Sequence, residues 1–205
     1  MTKIKLCGLS STCDIEAANL LKPEYIGFVF ASKSRRYVTP EKAAQLKAML
    51  LPDIKAVGVF VDESPQTVAE FLQADIIDVA QLHGSETEAY IRYLRSLTSK
   101  PIIQAFCIET EPDIQRAQSS SADFVLLDSG NGGTGAAFDW KLIHNINRPY
   151  FLAGGLGMAN VGEAIQTLRP YAVDVSSGIE TAGLKDKNKM AEFVAAVRKE
   201  EIKDK

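Results

Sequence analysis

Along the 205 residues, a short run rich in Val, Ile, Leu and Phe repeatedly ends in a polar or glycine turn and gives way to a stretch of helical periodicity. Strands are expected at Lys3–Gly8, Tyr25–Phe30, Ile54–Val61, Val79–His83, Ile102–Ile108, Phe124–Asp128, Tyr150–Gly154 and Ala172–Ser176. Helices are expected between them, among others at Pro40–Leu50, Pro65–Leu72, Glu86–Leu97, Asn160–Leu168 and Lys189–Lys199, several opened by Ser, Thr or Asn. Strict alternation implies parallel strands joined by crossover helices. Consecutive apolar residues, as in Phe124-Val-Leu-Leu127, suit strands covered on both faces. Eight such units of roughly 25 residues predict an α/β chain folded as one closed (β/α)8 TIM barrel over residues 1–205. An open doubly wound sheet needs fewer strands and a Gly-rich turn after its first, and no GxGxxG occurs there.

Bulk chemistry narrows the partners. Hydrophobic residues make up 46% and charged residues 24%, and the formal net charge is -3, so nothing draws the chain to nucleic acid or an acidic membrane surface. No apolar stretch is long enough to span a bilayer, and Met1-Thr-Lys-Ile-Lys runs into the first strand without a signal-peptide pattern. A cytoplasmic protein, monomer or homodimer, acting on a small molecule is expected. Cys7, Cys13 and Cys107 form no CxxC or Cys/His cluster, which argues against both a disulfide framework and a metal site.

In such a barrel, chemistry belongs at the carboxyl ends of the strands, so polar residues directly after apolar runs are the candidates. Gly154-Gly155 and Ser176-Ser177-Gly178 follow the last two strands, where glycine exposes backbone N–H groups to an anion; the pattern suits a phosphate, or simply tight turns. Cys7 ends the first strand and, as a thiolate, can accept a proton from carbon, although a lone cysteine also serves as inert core. Asp128 stands at an apolar rim where desolvation can keep a carboxyl protonated; capping a helix is the other reading. Arg36 can grip a substrate carboxylate with two parallel hydrogen bonds or be solvated. His83 either touches substrate or closes its strand. Asp174 is an inward carboxylate in need of a partner, and Asp62 a possible loop residue. The segment Asp128–Gly135, DSGNGGTG, reads as a lid, and with no Gly-Lys-Ser/Thr following it cannot be a P-loop.

Taken in order, Lys5-Leu-Cys-Gly-Leu9, Gly27-Phe-Val-Phe30, Ser34-Arg-Arg-Tyr-Val38, Val57-Gly-Val-Phe-Val61, Gln81-Leu-His-Gly84, Leu127-Asp-Ser129, Gly132-Gly-Thr-Gly135, Phe138-Asp-Trp140, Leu152-Ala-Gly-Gly-Leu156 and Val173-Asp-Val-Ser-Ser-Gly-Ile-Glu180 make a specific set. Over essentially its whole length the chain resembles the phosphoribosylanthranilate isomerases of tryptophan biosynthesis. The resemblance implies an Amadori rearrangement of N-(5-phosphoribosyl)anthranilate to 1-(2-carboxyphenylamino)-1-deoxyribulose 5-phosphate, without metal or organic cofactor. It implies Asp128 as general acid, Cys7 as general base and Arg36 at the anthranilate carboxylate. Gly154, Gly155, Ser177 and Gly178 fall at the phosphate, and His83 and Asp174 fit the pattern as substrate-binding positions. Arg35 stands where many members have proline, which leaves open which of Arg35 and Arg36 meets the carboxylate. Ala136-Ala137 and Ala182 are milder departures. Related sugar-phosphate barrels fit less well: indole-glycerol-phosphate synthase needs a strand-end lysine acid, and ribulose-phosphate epimerase a His/Asp metal set where this chain has only His83 and His144.

Overall fold

The computed structural model describes residues 1–129 and 140–203. The glycine-rich part of the expected lid, residues 130–135, and the last two residues of the lysine-rich tail lie outside them.

Eight parallel strands close into a barrel in sequence order, β1 (Lys3–Cys7), β2 (Tyr25–Val29), β3 (Lys55–Phe60), β4 (Val79–Leu82), β5 (Ile102–Ile108), β6 (Phe124–Ser129), β7 (Tyr150–Leu152) and β8 (Ala172–Val175). Closure is made by β1 against β8, with Lys5 paired to Asp174 and Leu6 to Val175. Among the described residues seven helices accompany them: α1 (Thr12–Leu21), α2 (Pro40–Ala48), α3 (Pro65–Gln73), α4 (Glu88–Leu97), α5 (Glu111–Ser119), α6 (Val161–Leu168) and α7 (Lys187–Lys203).

The helix starts follow from their caps. Ser11 and Asp14 form a capping box on α1, while Thr39 and Ser64 cap α2 and α3 ahead of a proline already set at helical φ. The fourth helix begins at Glu88, two residues later than the sequence pattern suggests. Thr87 is its cap, and the buried Glu86 carboxylate instead accepts from the backbone N–H groups of Asp62 and Gly84. Between β6 and β7 the described residues hold one 3₁₀ turn, Trp140–Asn145. After β8 come a second 3₁₀ turn, Ser177–Ile179, and an unanticipated hairpin of two short strands, β9 (Glu180–Thr181) and β10 (Leu184–Lys185). Ala182 at φ 51° and Gly183 at φ 83° make its turn.

Alternation along β1 shows how the two shells divide. Ile4 and Leu6 point outward into the layer shared with the helices, alongside Ile15, Ile26, Phe28, Phe60 and Phe193. The opposite side chains fill the barrel interior. At its amino-terminal end Tyr25, Phe124, Phe151 and Tyr171 interlock, with Tyr25 and Phe151 edge-to-face at 5.3 Å and Phe124 stacked on Tyr171 at 4.9 Å. Val57, Val79, Ile103 and Leu126 continue the apolar filling. Each fully buried Ile, Leu or Phe contributes about 1.5–3 kcal/mol. The amino-terminal end is lined by these aromatic and apolar side chains around a cavity of about 380 Å³, whereas the polar side chains gather at the carboxyl-terminal end. Among the described residues no helix is long and apolar enough to cross a membrane.

Candidate active site

The carboxyl-terminal mouth of the barrel holds a cavity of about 360 Å³, and Cys7, Arg36, His83, Asp128, Asp174 and Ser177 are among its walls. Gly154 and Gly155 line it too. Side chains spread over the whole sequence meet here because every strand delivers its last inward residue to the same rim.

Cys7 ends β1 with 8% of its surface exposed. Gly27 on the neighbouring strand makes room for it: a β-carbon there would lie 2.6 Å from the Cys7 sulfur. Burial pushes the thiol pKa above its ordinary value. The Lys5 ammonium pulls the other way, the Asp174 carboxylate adds to the rise, and the Lys185 ammonium again lowers it. Desolvation of the sulfur outweighs the positive charge beside it.

Asp128 is the next-to-last residue of β6, its side chain 16% exposed and 3.4 Å from Nε2 of His83. The amide nitrogen of Gln81 lies 2.8 Å from the other ring nitrogen, Nδ1. With the amide nitrogen donating, Nδ1 is the acceptor and Nε2 the ring nitrogen that faces Asp128. His83 therefore lines the cavity with its ring and closes its strand with its backbone, which donates to the carbonyl of Phe60.

Gly154 and Gly155 adopt φ of 83° and 62°, a region where a β-carbon is strained, so glycine is what this turn requires. Ser177 opens the 3₁₀ turn after β8 and lines the cavity. Gly178 is set behind it, where a β-carbon would fall 2.1 Å from the Leu156 carbonyl, so the loops after β7 and β8 touch backbone to backbone.

Of the two adjacent arginines, Arg36 lines the cavity, whereas the Arg35 side chain is 59% exposed. Both converge on Glu180: Arg36 through Nε at 2.6 Å and Nη2 at 3.0 Å, Arg35 through Nη2 at 2.7 Å. Lys185 donates to the same carboxylate at 2.7 Å and to the carbonyl of Ser176 at 2.9 Å. Burial alone would raise the Glu180 pKa, but the hydrogen bonds from Arg36 and Lys185 bring it down to about 2. Gly8 lets the arginine cross the rim, since a β-carbon there would lie 2.5 Å from Arg36 Cδ.

Asp174 has found the partner an inward carboxylate needs: its Oδ2 accepts from Lys5 Nζ at 2.9 Å, with Lys5 fully buried. Asp174 Oδ1 and Gln81 Oε1 are buried without a hydrogen-bond partner among the described residues. Asp62 stands outside the cavity, its carboxylate accepting from the backbone and hydroxyl of Ser85 at 2.7 Å each. Among the described residues no cluster of three or more His, Cys, Asp or Glu side chains is placed to hold a metal ion.

Lys5, Gln81, Glu180 and Lys185 are the residues of this neighbourhood that the sequence reading does not single out. For Lys5 a signal exists: in Lys3-Ile-Lys-Leu-Cys7 the period of two puts Lys5 on the face of Cys7.

A closed (β/α)8 barrel whose open mouth gathers a thiol, a carboxyl, an imidazole and a guanidinium above glycine turns is the architecture of a barrel enzyme. The family model for N-(5'-phosphoribosyl)anthranilate (PRA) isomerase matches residues 4–196. The N-(5'-phosphoribosyl)anthranilate isomerase of Caldanaerobacter subterraneus is 44% identical over 204 residues, covering 97% of this chain and 98% of that one. A crystal structure of phosphoribosyl anthranilate isomerase in complex with reduced 1-(o-carboxyphenylamino)-1-deoxyribulose 5-phosphate superposes with a TM-score of 0.87 at 33% identity, covering 97% of this chain and all of that one. Monomers generated from the dimeric Thermotoga maritima enzyme give 0.86 at 33% identity, with the same coverage. The chain belongs to the phosphoribosylanthranilate isomerase family, the isomerases of tryptophan biosynthesis.

Proposed function

We propose that residues 1–205 act as one barrel unit that performs the Amadori rearrangement of N-(5-phosphoribosyl)anthranilate with Asp128 as acid and Cys7 as base. The observation that carries this assignment is that Cys7 and Asp128 share one cavity with a guanidinium and two left-handed glycines. A substrate with a carboxylate at one end and a phosphate at the other is held across the mouth by Arg36 and by the backbone of Gly154, Gly155, Ser177 and Gly178. His83 and Asp174 contact the sugar between them.

Asp128 protonates the furanose ring oxygen; the C1–O bond breaks and the nitrogen lone pair forms the Schiff base. The cationic C1=N bond acidifies C2–H. Cys7, as thiolate, takes that proton, and the C–H electron pair forms the enolamine while the nitrogen recovers its own. Proton transfer from the C2 hydroxyl to C1 then gives the ketone, so the reaction is an isomerisation with no oxidant consumed. The test is the loss of anthranilate fluorescence when the purified protein meets freshly made substrate. Turnover far above spontaneous hydrolysis is expected, and none above it would overturn the reading.

Glu180 holds Arg36 by two bonds and leaves its remaining N–H groups for a ligand. Glu180→Gln weakens that anchor, so KM should rise by about tenfold or more, as for a lost charge-assisted hydrogen bond, while kcat stays within about threefold. A kcat loss at unchanged KM would contradict the role given to Arg36. The enzyme is read as a cytoplasmic monomer or homodimer that binds neither nucleic acid nor membrane; the dimeric Thermotoga maritima relative supports the second form.

A further inference from the structure

Lys5 is a fully buried ammonium in a barrel interior otherwise filled by Tyr25, Val57, Ile103, Leu126 and Phe151. An ion pair of this kind is a weak source of stability, because two apolar side chains of similar volume serve at least as well. Its position suggests another use. Lys5 and Asp174 are direct register partners on β1 and β8, joined at 2.9 Å, and Cys7 is the next inward residue above Lys5 on the same strand. Two residues apart on one face of β1, the ammonium stands close enough to the Cys7 sulfur for its charge to pull the thiol pKa down. Facing the thiol are Lys5 from β1, Asp174 from β8 and Lys185 from β10, with Arg36, His83 and Asp128 elsewhere on the cavity wall.

We propose that Lys5, clamped by Asp174, is a positioning residue for the reaction: its fixed positive charge under Cys7 lets a desolvated thiol give up its proton and serve as the base. The S–H proton leaves to water in the open mouth before substrate fills it; the resulting thiolate is then the species that removes C2–H. Asp174 helps keep the ammonium charged in the barrel interior, since burial pushes the Lys5 pKa down and the carboxylate, together with Cys7, brings it back above its ordinary value. The inference rests on the reading of Cys7 as base, but its test does not need turnover.

The test measures the rate of Cys7 alkylation by iodoacetamide against pH in a protein carrying Cys13→Ser and Cys107→Ser, both exposed positions. Lys5→Met, and Lys5→Met combined with Asp174→Asn, replace the charges by neutral side chains of similar size. The double change leaves no orphaned carboxylate. In both, the alkylation midpoint should move up by about one pH unit or more, the shift a close opposite charge produces. The acid limb of kcat/KM should move with it, a signature that loss of packing alone does not produce. An unmoved midpoint in either folded variant overturns the proposal. If the parent alkylates with the expected shift but turns over no substrate, the coupling stands and the isomerase assignment falls. Should neither variant fold, the Nζ resonance of Lys5 in the parent decides: it must shift as Cys7 titrates and lose that shift in Cys7→Ser, and a signal indifferent to Cys7 overturns the proposal.

Discussion

Cys7→Ser should lower kcat by about 10²–10⁴-fold, the range that a positioned general base contributes, with KM changed by less than about threefold. Serine has nearly the shape of cysteine, so Gly27 accommodates it as it does the sulfur, and the barrel closes unchanged. What changes is proton chemistry. A hydroxyl beside Lys5 remains protonated at pH values where a thiol ionises, so C2–H of the bound Schiff base has no acceptor. The loss corresponds to about 2.7–5.4 kcal/mol of transition-state stabilisation. Steady-state fluorescence, with circular dichroism to confirm folding, checks it. Retention of more than about a tenth of the parent kcat would show that Cys7 is wall rather than base.

The barrel was legible because its signal is repeated. One apolar run of six residues is ambiguous between strand and helix, but runs such as Val57–Val61 and Phe124–Leu127, alternating with capped helical stretches, leave few topologies. Strand ends then place Cys7, His83, Asp128, Gly154 and Ser177 on one rim without any side-chain information. Helix boundaries were less legible where a carboxylate had another task. Glu86 looks like the first turn of a helix, yet it ties the loops after β3 and β4 together.

The hidden part of the site is the part made by close pairing. Nothing in Glu180-Thr-Ala-Gly-Leu-Lys185 announces a hairpin, since its strands are two residues long and its φ 51° residue is an alanine. That hairpin nevertheless brings Glu180 and Lys185 under Arg36. Lys5 was hidden for a different reason: it is flanked by outward apolar residues, and charge at an inward position looks unfavourable until the partner strand is known; Asp174 was legible as an inward carboxylate, but not its partner. The pairing of β1 with β8 that closes the barrel is what supplies the counter-charge, so closure and the electrostatics around Cys7 are one event.

Asp128→Asn should likewise lower kcat by about 10²–10⁴-fold, and comparison with His83→Asn identifies which of the two neighbours is the acid. Asparagine keeps the volume at the end of β6 and, through its carbonyl, an acceptor for the Nε2–H of His83. It has no acidic proton, so the ring oxygen leaves without protonation and opening becomes rate-limiting. His83 is held at Nδ1 by Gln81 and directed at Asp128; in the proposed role it serves the carboxyl and contacts the sugar, so His83→Asn should cost about tenfold or less. An Asp128→Asn enzyme retaining a tenth of the parent rate, or a His83→Asn enzyme as inactive as Asp128→Asn, would move the acid from the carboxyl to the imidazole or to the pair. Because acid and base act on one substrate in successive steps, the Cys7→Ser/Asp128→Asn double variant should lose much less than the product of the single losses. Full multiplicativity would mean that the two groups act independently, which one cavity lined by both does not allow.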